Sequence, residues 1–119
     1  MTQSKKYKTM HLFIQKITKE ENITFEEVIA HIDANYEFTP TLFKNGNQVN
    51  QAGENNGSCK IFSFALLHEL TKEQTLKLFG KFYQDVIATP EAEDHQNIRN
   101  FITFGWDGIV FEKEALRLI

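Results

Sequence analysis

Between Cys59 and Leu70 the side chains Ile61, Phe62, Phe64, Ala65, Leu66, Leu67 and Leu70 fall on nearly every side of a helix. A surface helix needs one polar face, so a segment apolar all round has to be central and buried. The rest of the chain must then supply amphipathic elements to wrap it. Leu12, Phe13 and Ile17 mark one side of a helix over 10–19. Thr24-x-x-Glu27 reads as a capping box, and Phe25, Val28, Ile29, Ile32 and Tyr36 behind it repeat with helical period. Thr71-x-x-Gln74 starts a further helix over 72–88 with Leu76, Phe79, Tyr83 and Val86 inward. Gly80 lies in its middle, where glycine costs about 1 kcal/mol relative to alanine, and so predicts a close helix approach or a kink. Thr89-Pro90 breaks the chain, and Asp94 is placed to cap a last helix carrying Ile98, Phe101 and Ile102.

The β content is small. Pro40 ends any helix before Thr39. Residues 41–50 predict a hairpin, with Asn45-Gly46 as a type I′ turn that sets Leu42 opposite Val49. Gly105-Trp-Asp-Gly108 reads as a turn, and Ile109-Val-Phe111 as a third short strand that joins the hairpin. The expected fold is α+β and mainly α: about five helices in one pair of layers, with a small hairpin near 41–50 and a third strand over 109–111. At 119 residues a single domain spanning 1–119 is expected.

Charge and composition exclude several functions. Thirteen basic residues against sixteen acidic ones leave a net charge of −3, which argues against binding nucleic acid or an anionic membrane surface. No apolar stretch approaches the roughly 20 residues of a membrane span. The basic start lacks an apolar core behind it, so no cleavable secretory signal is expected. One cysteine, Cys59, excludes an intrachain disulfide and suits a reducing compartment.

Residues 45–58 stand apart, since seven of these fourteen carry a side-chain amide and three are glycine. The loop Gly53-Glu-Asn-Asn-Gly-Ser-Cys59 runs straight into the buried helix. A helix start offers unpaired N–H groups that attract anions and lower the pKa of a nearby thiol. Asn50, Glu54, Asn55 and Ser58 are therefore candidate binding residues, and Cys59 a candidate nucleophile. The structural alternative makes Ser58 an N-cap, Cys59 a small core residue, and the side chains of Asn50, Glu54 and Asn55 partners for loop backbone. For Cys59 burial is the larger effect and leaves a neutral thiol. His68 cannot serve it as a base, because nine helical steps put the two on opposite faces. His95, with Asp94 or Asn97 to orient it, is the remaining candidate partner. His11, His31, His68 and His95 show no metal-ligand spacing, and Glu27 with His31 makes only two ligands, so no metal is expected. Gly53-x-x-x-Gly57 lacks the Lys-Ser/Thr of a phosphate-binding loop, so no nucleotide or other cofactor is expected either. Trp106 could line a pocket or pack in the core.

Four strings carry a family resemblance. They are Ile32-Asp-Ala-Asn-Tyr-Glu-Phe-Thr-Pro-Thr41 with Phe43, Ala52-Gly-Glu-Asn-Asn-Gly-Ser-Cys-Lys60 with Phe62, Asp94-His-Gln-Asn-Ile-Arg99 with Phe101, and Gly105-Trp-Asp-Gly-Ile109 with Phe111. Together they resemble the HopJ type III effector family over about residues 12–111, with only the two ends outside the pattern. The resemblance implies a protein of the kind that plant-pathogenic bacteria inject into host cells. It brings no catalytic residue set with it. The expectation is an effector made in the bacterial cytoplasm, exported through a type III apparatus, and acting on a host or bacterial protein as an interaction module. The alternative is a small intracellular bacterial protein with a ligand-binding or thiol-based catalytic pocket at the Gly53 to Cys59 loop.

Overall fold

A computed structural model describes residues 2–19 and 22–119 of the chain. Its elements run α1 (Thr2–Thr18), α2 (Phe25–Asn35), β1 (Tyr36–Phe38), β2 (Phe43–Asn45), β3 (Gln48–Asn50), α3 (Asn56–Leu67), α4 (Lys72–Lys77), α5 (Lys81–Ala88), α6 (Gln96–Phe104), β4 (Ile109–Phe111) and β5 (Leu116–Leu118), with a 3₁₀ turn over Gly105–Gly108. The fold is α+β and mainly α, as the periodicities predict. Among the described residues there are six helices rather than five, because the 72–88 segment breaks at Gly80 into α4 and α5.

Helix α3 occupies the centre, with Ile61, Phe62, Phe64 and Ala65 fully buried. Phe62 gathers the rings of Phe79, Phe101 and Trp106 at centroid distances of 5.4, 4.9 and 6.4 Å. Trp106 belongs to this core, and its indole N–H donates to the Leu70 carbonyl at 3.1 Å. The helix stops at Leu67, short of the expected Leu70. Glu69 turns left-handed (φ 53°), Leu70 N–H reaches the Ala65 carbonyl, and Glu69 N–H reaches that of Leu66. Those two bonds are a Schellman stop, and they leave Leu66 and Leu67 about half exposed instead of buried.

Both capping boxes form as read, Thr24 with Glu27 and Thr71 with Gln74. Two other expected caps do not. The first turn of α3 begins at Asn55 rather than Ser58, and that of α6 at His95 rather than Asp94. Both residues take left-handed backbone angles, and neither turn receives a side-chain cap. Asp94 is instead tied to the Arg99 guanidinium at 2.7 Å. Helix α1 starts well before Met10 and presents Phe13, Ile14 and Ile17 inward, while Leu12 points out. Ile102 of α6 also lies on the outer side of its helix.

The hairpin forms with its turn one residue later than predicted. Gly46 and Asn47 are the central residues, so Lys44 rather than Leu42 faces Val49, and Phe43 faces Asn50. Gly46 has φ +60° while Asn47 is not left-handed, the pattern of a type II′ turn. The slip turns Phe43, Asn45 and Asn50 inward and leaves Val49 exposed. β4 joins the free edge of β2, giving the order β3-β2-β4. A second antiparallel pair, β1 with β5, was not anticipated: Tyr36 pairs with Leu118 and Phe38 with Leu116. Tyr36 is thus the first residue of a strand, not the last inward position of α2.

Candidate functional site

The loop between β3 and α3 is held by its own polar groups. The Glu54 carboxylate accepts from Gln51 N–H at 2.7 Å, while Glu54 N–H returns to the Gln51 carbonyl at 2.9 Å. Behind it lies a cluster of amides. Asn50, fully buried, donates to the Phe43 carbonyl and to Asn97 Oδ1. Its own Oδ1 accepts from Gln48 at 3.1 Å, Asn55 at 2.7 Å and Asn97 at 3.0 Å. Asn45 donates to the Asn97 carbonyl at 2.7 Å and to its Oδ1 at 3.0 Å. These bonds clamp β2, β3, the loop and the start of α6 together. Asn50 and Glu54 hold backbone; the Asn55 side chain holds only another side chain.

The clamp brings the first turns of α3 and α6 side by side. A pocket of about 380 Å³ opens between them, with Gln48, Asn55, Ser58, His95 and Gln96 on its polar walls and Phe25, Phe79 and Phe82 at its apolar side. Neither helix start is capped by a side chain, and the first-turn residues Gly57, Ser58, Gln96 and Asn97, at the positive dipole ends of the two helices, line this space. His95 lies over the Phe82 ring at 5.4 Å, with Asp85 and Asp94 carboxylate oxygens 3.8 and 3.7 Å from its Nε2. Asp94 is drawn by Arg99: their hydrogen bond holds its carboxyl below the usual range, with the His95 and Arg99 charges adding to the effect. The left-handed residues at both helix starts carry the one local signal for this arrangement, since asparagine and histidine tolerate such angles better than most side chains.

Cys59 is not in the pocket wall. It is 1% exposed and faces the core. Burial pushes its thiol above the ordinary cysteine value, outweighing the opposing pull of the Thr41 backbone, Ser63 and Lys60. The structure therefore groups Asn55, Ser58 and His95 and leaves Cys59 apart from them. Iodoacetamide near neutral pH is expected to label native Cys59 far more slowly than the unfolded chain. Faster labelling of the native protein would restore the nucleophile. Cys59→Ala should cost only ~1–2 kcal/mol, as the loss of one small buried group does.

Among the described residues no group of three or more His, Cys, Asp or Glu side chains could hold a metal ion. Glu27 pairs with Lys16 at 2.8 Å rather than with His31, and that bond lowers its pKa. No helix among the described residues is long and apolar enough to cross a membrane.

A second concave surface lies where α3 ends. Ser63, Leu66 and Leu67 face Phe111, Leu116 and the 112–115 turn across a groove of about 410 Å³. A smaller recess of about 250 Å³ continues it past Leu67, Glu114 and Leu116 to Met10, Tyr36 and Leu118. Sequence reading missed this groove because Leu66 and Leu67 looked like core.

The comparisons agree with the sequence resemblance. VPA0580, a protein of unknown function solved by crystallography, is 53% identical to this chain and superimposes with a TM-score of 0.90 over 92% of each. No significant match is found among curated proteins. The family profile of the HopJ type III effector proteins matches residues 10–116, which includes every string quoted above. With nearly its whole length matched, the chain belongs to the HopJ type III effector protein family.

Proposed function

We propose that the protein acts as an effector-type interaction module: a single domain made in the bacterial cytoplasm, exported through a type III apparatus, and working by docking a host or bacterial protein. The groove at the end of α3 supports this reading. Leu66 and Leu67 stand about half exposed on the helix whose Cys59, Ile61, Phe62, Phe64 and Ala65 are in the core. Fully burying a leucine is worth roughly 1.5–3 kcal/mol, so a partner that covers both gains binding energy there. Contiguous exposed apolar surface of this kind marks interaction sites. The test is translocation of an N-terminal reporter fusion from strains with and without the apparatus. Signal that depends on the apparatus is expected; equal signal in both strains ends the export reading. Leu66→Ser with Leu67→Ser should cost no more than about 2 kcal/mol, because each side chain is already about half exposed, and abolish partner binding.

A second reading is favoured by the pocket between α3 and α6. Its two uncapped helix starts and the side chains of Asn55, Ser58 and His95 suit a small anionic ligand. Titration with phosphate and with small carboxylates, followed through the amide signals of Gly57 and Gln96, decides it. Unmoved signals at millimolar anion would dismiss this reading and leave the groove as the site.

A further inference from the structure

Among its described side chains, helix α1 packs on the rest of the fold through Met10, Phe13, Ile14 and Ile17, and the first two of these meet one buried polar cluster. Phe13 lies flat on the His31 ring of α2, with centroids 4.0 Å apart and planes 6° from parallel. Met10 Sδ receives the Tyr36 hydroxyl at 3.1 Å, and the same hydroxyl is 2.6 Å from His68 Nε2. Phe64 of α3 closes the cluster edge-on, 5.7 Å from His31. The remaining anchors of α1 include Ile17 in the core and the Lys16–Glu27 ion pair.

His31 fits this place only as a neutral ring. The Asn35 amide Nδ2 faces its Nδ1 at 3.4 Å while also donating to the His31 carbonyl at 2.8 Å, so Nδ1 is the acceptor and the ring hydrogen lies on Nε2. Nε2 is buried and has no partner. A second proton would set N–H against N–H at Nδ1 and bury a charge. Among the described residues no titratable group of opposite charge touches the His31 ring, and the attraction of a cation to the Phe13 face is small beside the cost of burying a charge. From the residue that follows α3 comes His68, of the same sign once protonated. From β1 comes Tyr36, whose burial pushes it up to about 12 and keeps it a neutral hydroxyl. Lys16 of α1 is committed to Glu27. Glu114 and Arg117, of opposite sign, line the recess beside Tyr36 and His68 rather than the His31 ring.

We propose that docking of α1 is acid-sensitive, and that uptake of a proton by His31 releases the helix from Phe13 and Met10 inward while the α3 core stays folded. The sign follows from linkage. Burial, reinforced by His68, holds His31 below its ordinary value of 6.5. The released state therefore binds the proton more readily, and docking weakens as pH falls through 6.5 toward the lower docked-state value. Docking is fully present above about pH 7.5.

Amide hydrogen exchange of the full chain at pH 7.5 and 5.5, corrected for intrinsic rates, tests this. Protection of residues 10–18 is expected to fall, by up to about tenfold, the limit for one histidine over that interval, while residues 59–65 keep theirs. His31→Phe, which retains the stack on Phe13, should abolish the pH effect. Three results overturn the proposal: unchanged α1 protection, parallel loss in α1 and α3, or an equal acid response in His31→Phe. Should that variant fail to fold, NMR titration of the wild-type imidazoles serves instead. A His31 ring that titrates while α1 stays protected overturns it equally.

Discussion

Asn50→Ala is expected to destabilise the protein by about 2–4 kcal/mol, against a total stability of roughly 5–15 kcal/mol for a domain of this kind. The side chain is fully buried and joins five hydrogen bonds, two as donor and three as acceptor. Truncation leaves Asn97 Nδ2 without a partner inside the fold, and an unsatisfied buried amide costs more than the net value of the bond it lost. It also frees Gln48 and Asn55 on the pocket wall. Asn55→Ala removes a single bond from an exposed residue and should cost under about 1 kcal/mol. Urea unfolding of the two variants separates these cases, provided the slope stays constant. An Asn50→Ala protein within 0.5 kcal/mol of wild type would mean that the amide cluster holds nothing, and Asn50 would return to the list of ligand-binding candidates.

What could be read in the sequence was what is written within a few residues. The capping boxes at Thr24 and Thr71 need only a partner three positions on, and both formed. Ile109 to Phe111 carried its own β-branched and aromatic signal, and it joined β2. The hairpin register and the strand at Tyr36 were missed because each depends on a distant partner. Asn45 and Asn50 look like solvent residues until Asn97 arrives from another helix, and their burial is what moves the hairpin turn to Gly46-Asn47. Tyr36 continued the helical period of α2, and only β5, some eighty positions later, shows that it starts a strand. Ser58 and Asp94 are good cap residues by type. The chain starts both helices elsewhere because Asn55 is bound to Asn50, and because Asp94 is bound to Arg99. The candidate pocket was legible as a list of residues on the loop, but its second wall and the exclusion of Cys59 were not.

Gly80→Ala is the sharpest remaining test, because two physical arguments predict opposite signs for it. If 72–88 were one helix, alanine in its middle would stabilise by about 1 kcal/mol. The structure places Gly80 at the break between α4 and α5, with φ +57° and ψ −128°, a region essentially reserved for glycine. Forcing a side chain there costs of order 1–3 kcal/mol in backbone strain alone. A Cβ at this position would also stand 3.0 Å from the Phe25 backbone nitrogen, in the first turn of α2. That neighbour is backbone and cannot rotate away. The Gly80 carbonyl further accepts from Tyr83 and Gln84, so shifting it disturbs the start of α5. The expected loss is about 2–4 kcal/mol and a fall in Tm on the order of 10 °C. Gly53→Ala is the control, since φ there is also positive (+92°) but open space surrounds the site, so it reports strain without contact. If Gly80→Ala is stabilised while Gly53→Ala is not, the break between α4 and α5 relaxes into one helix, and the close approach to α2 has no energetic weight. A loss in Gly80→Ala larger than that in Gly53→Ala measures how much of the cost comes from the Phe25 contact rather than from the turn.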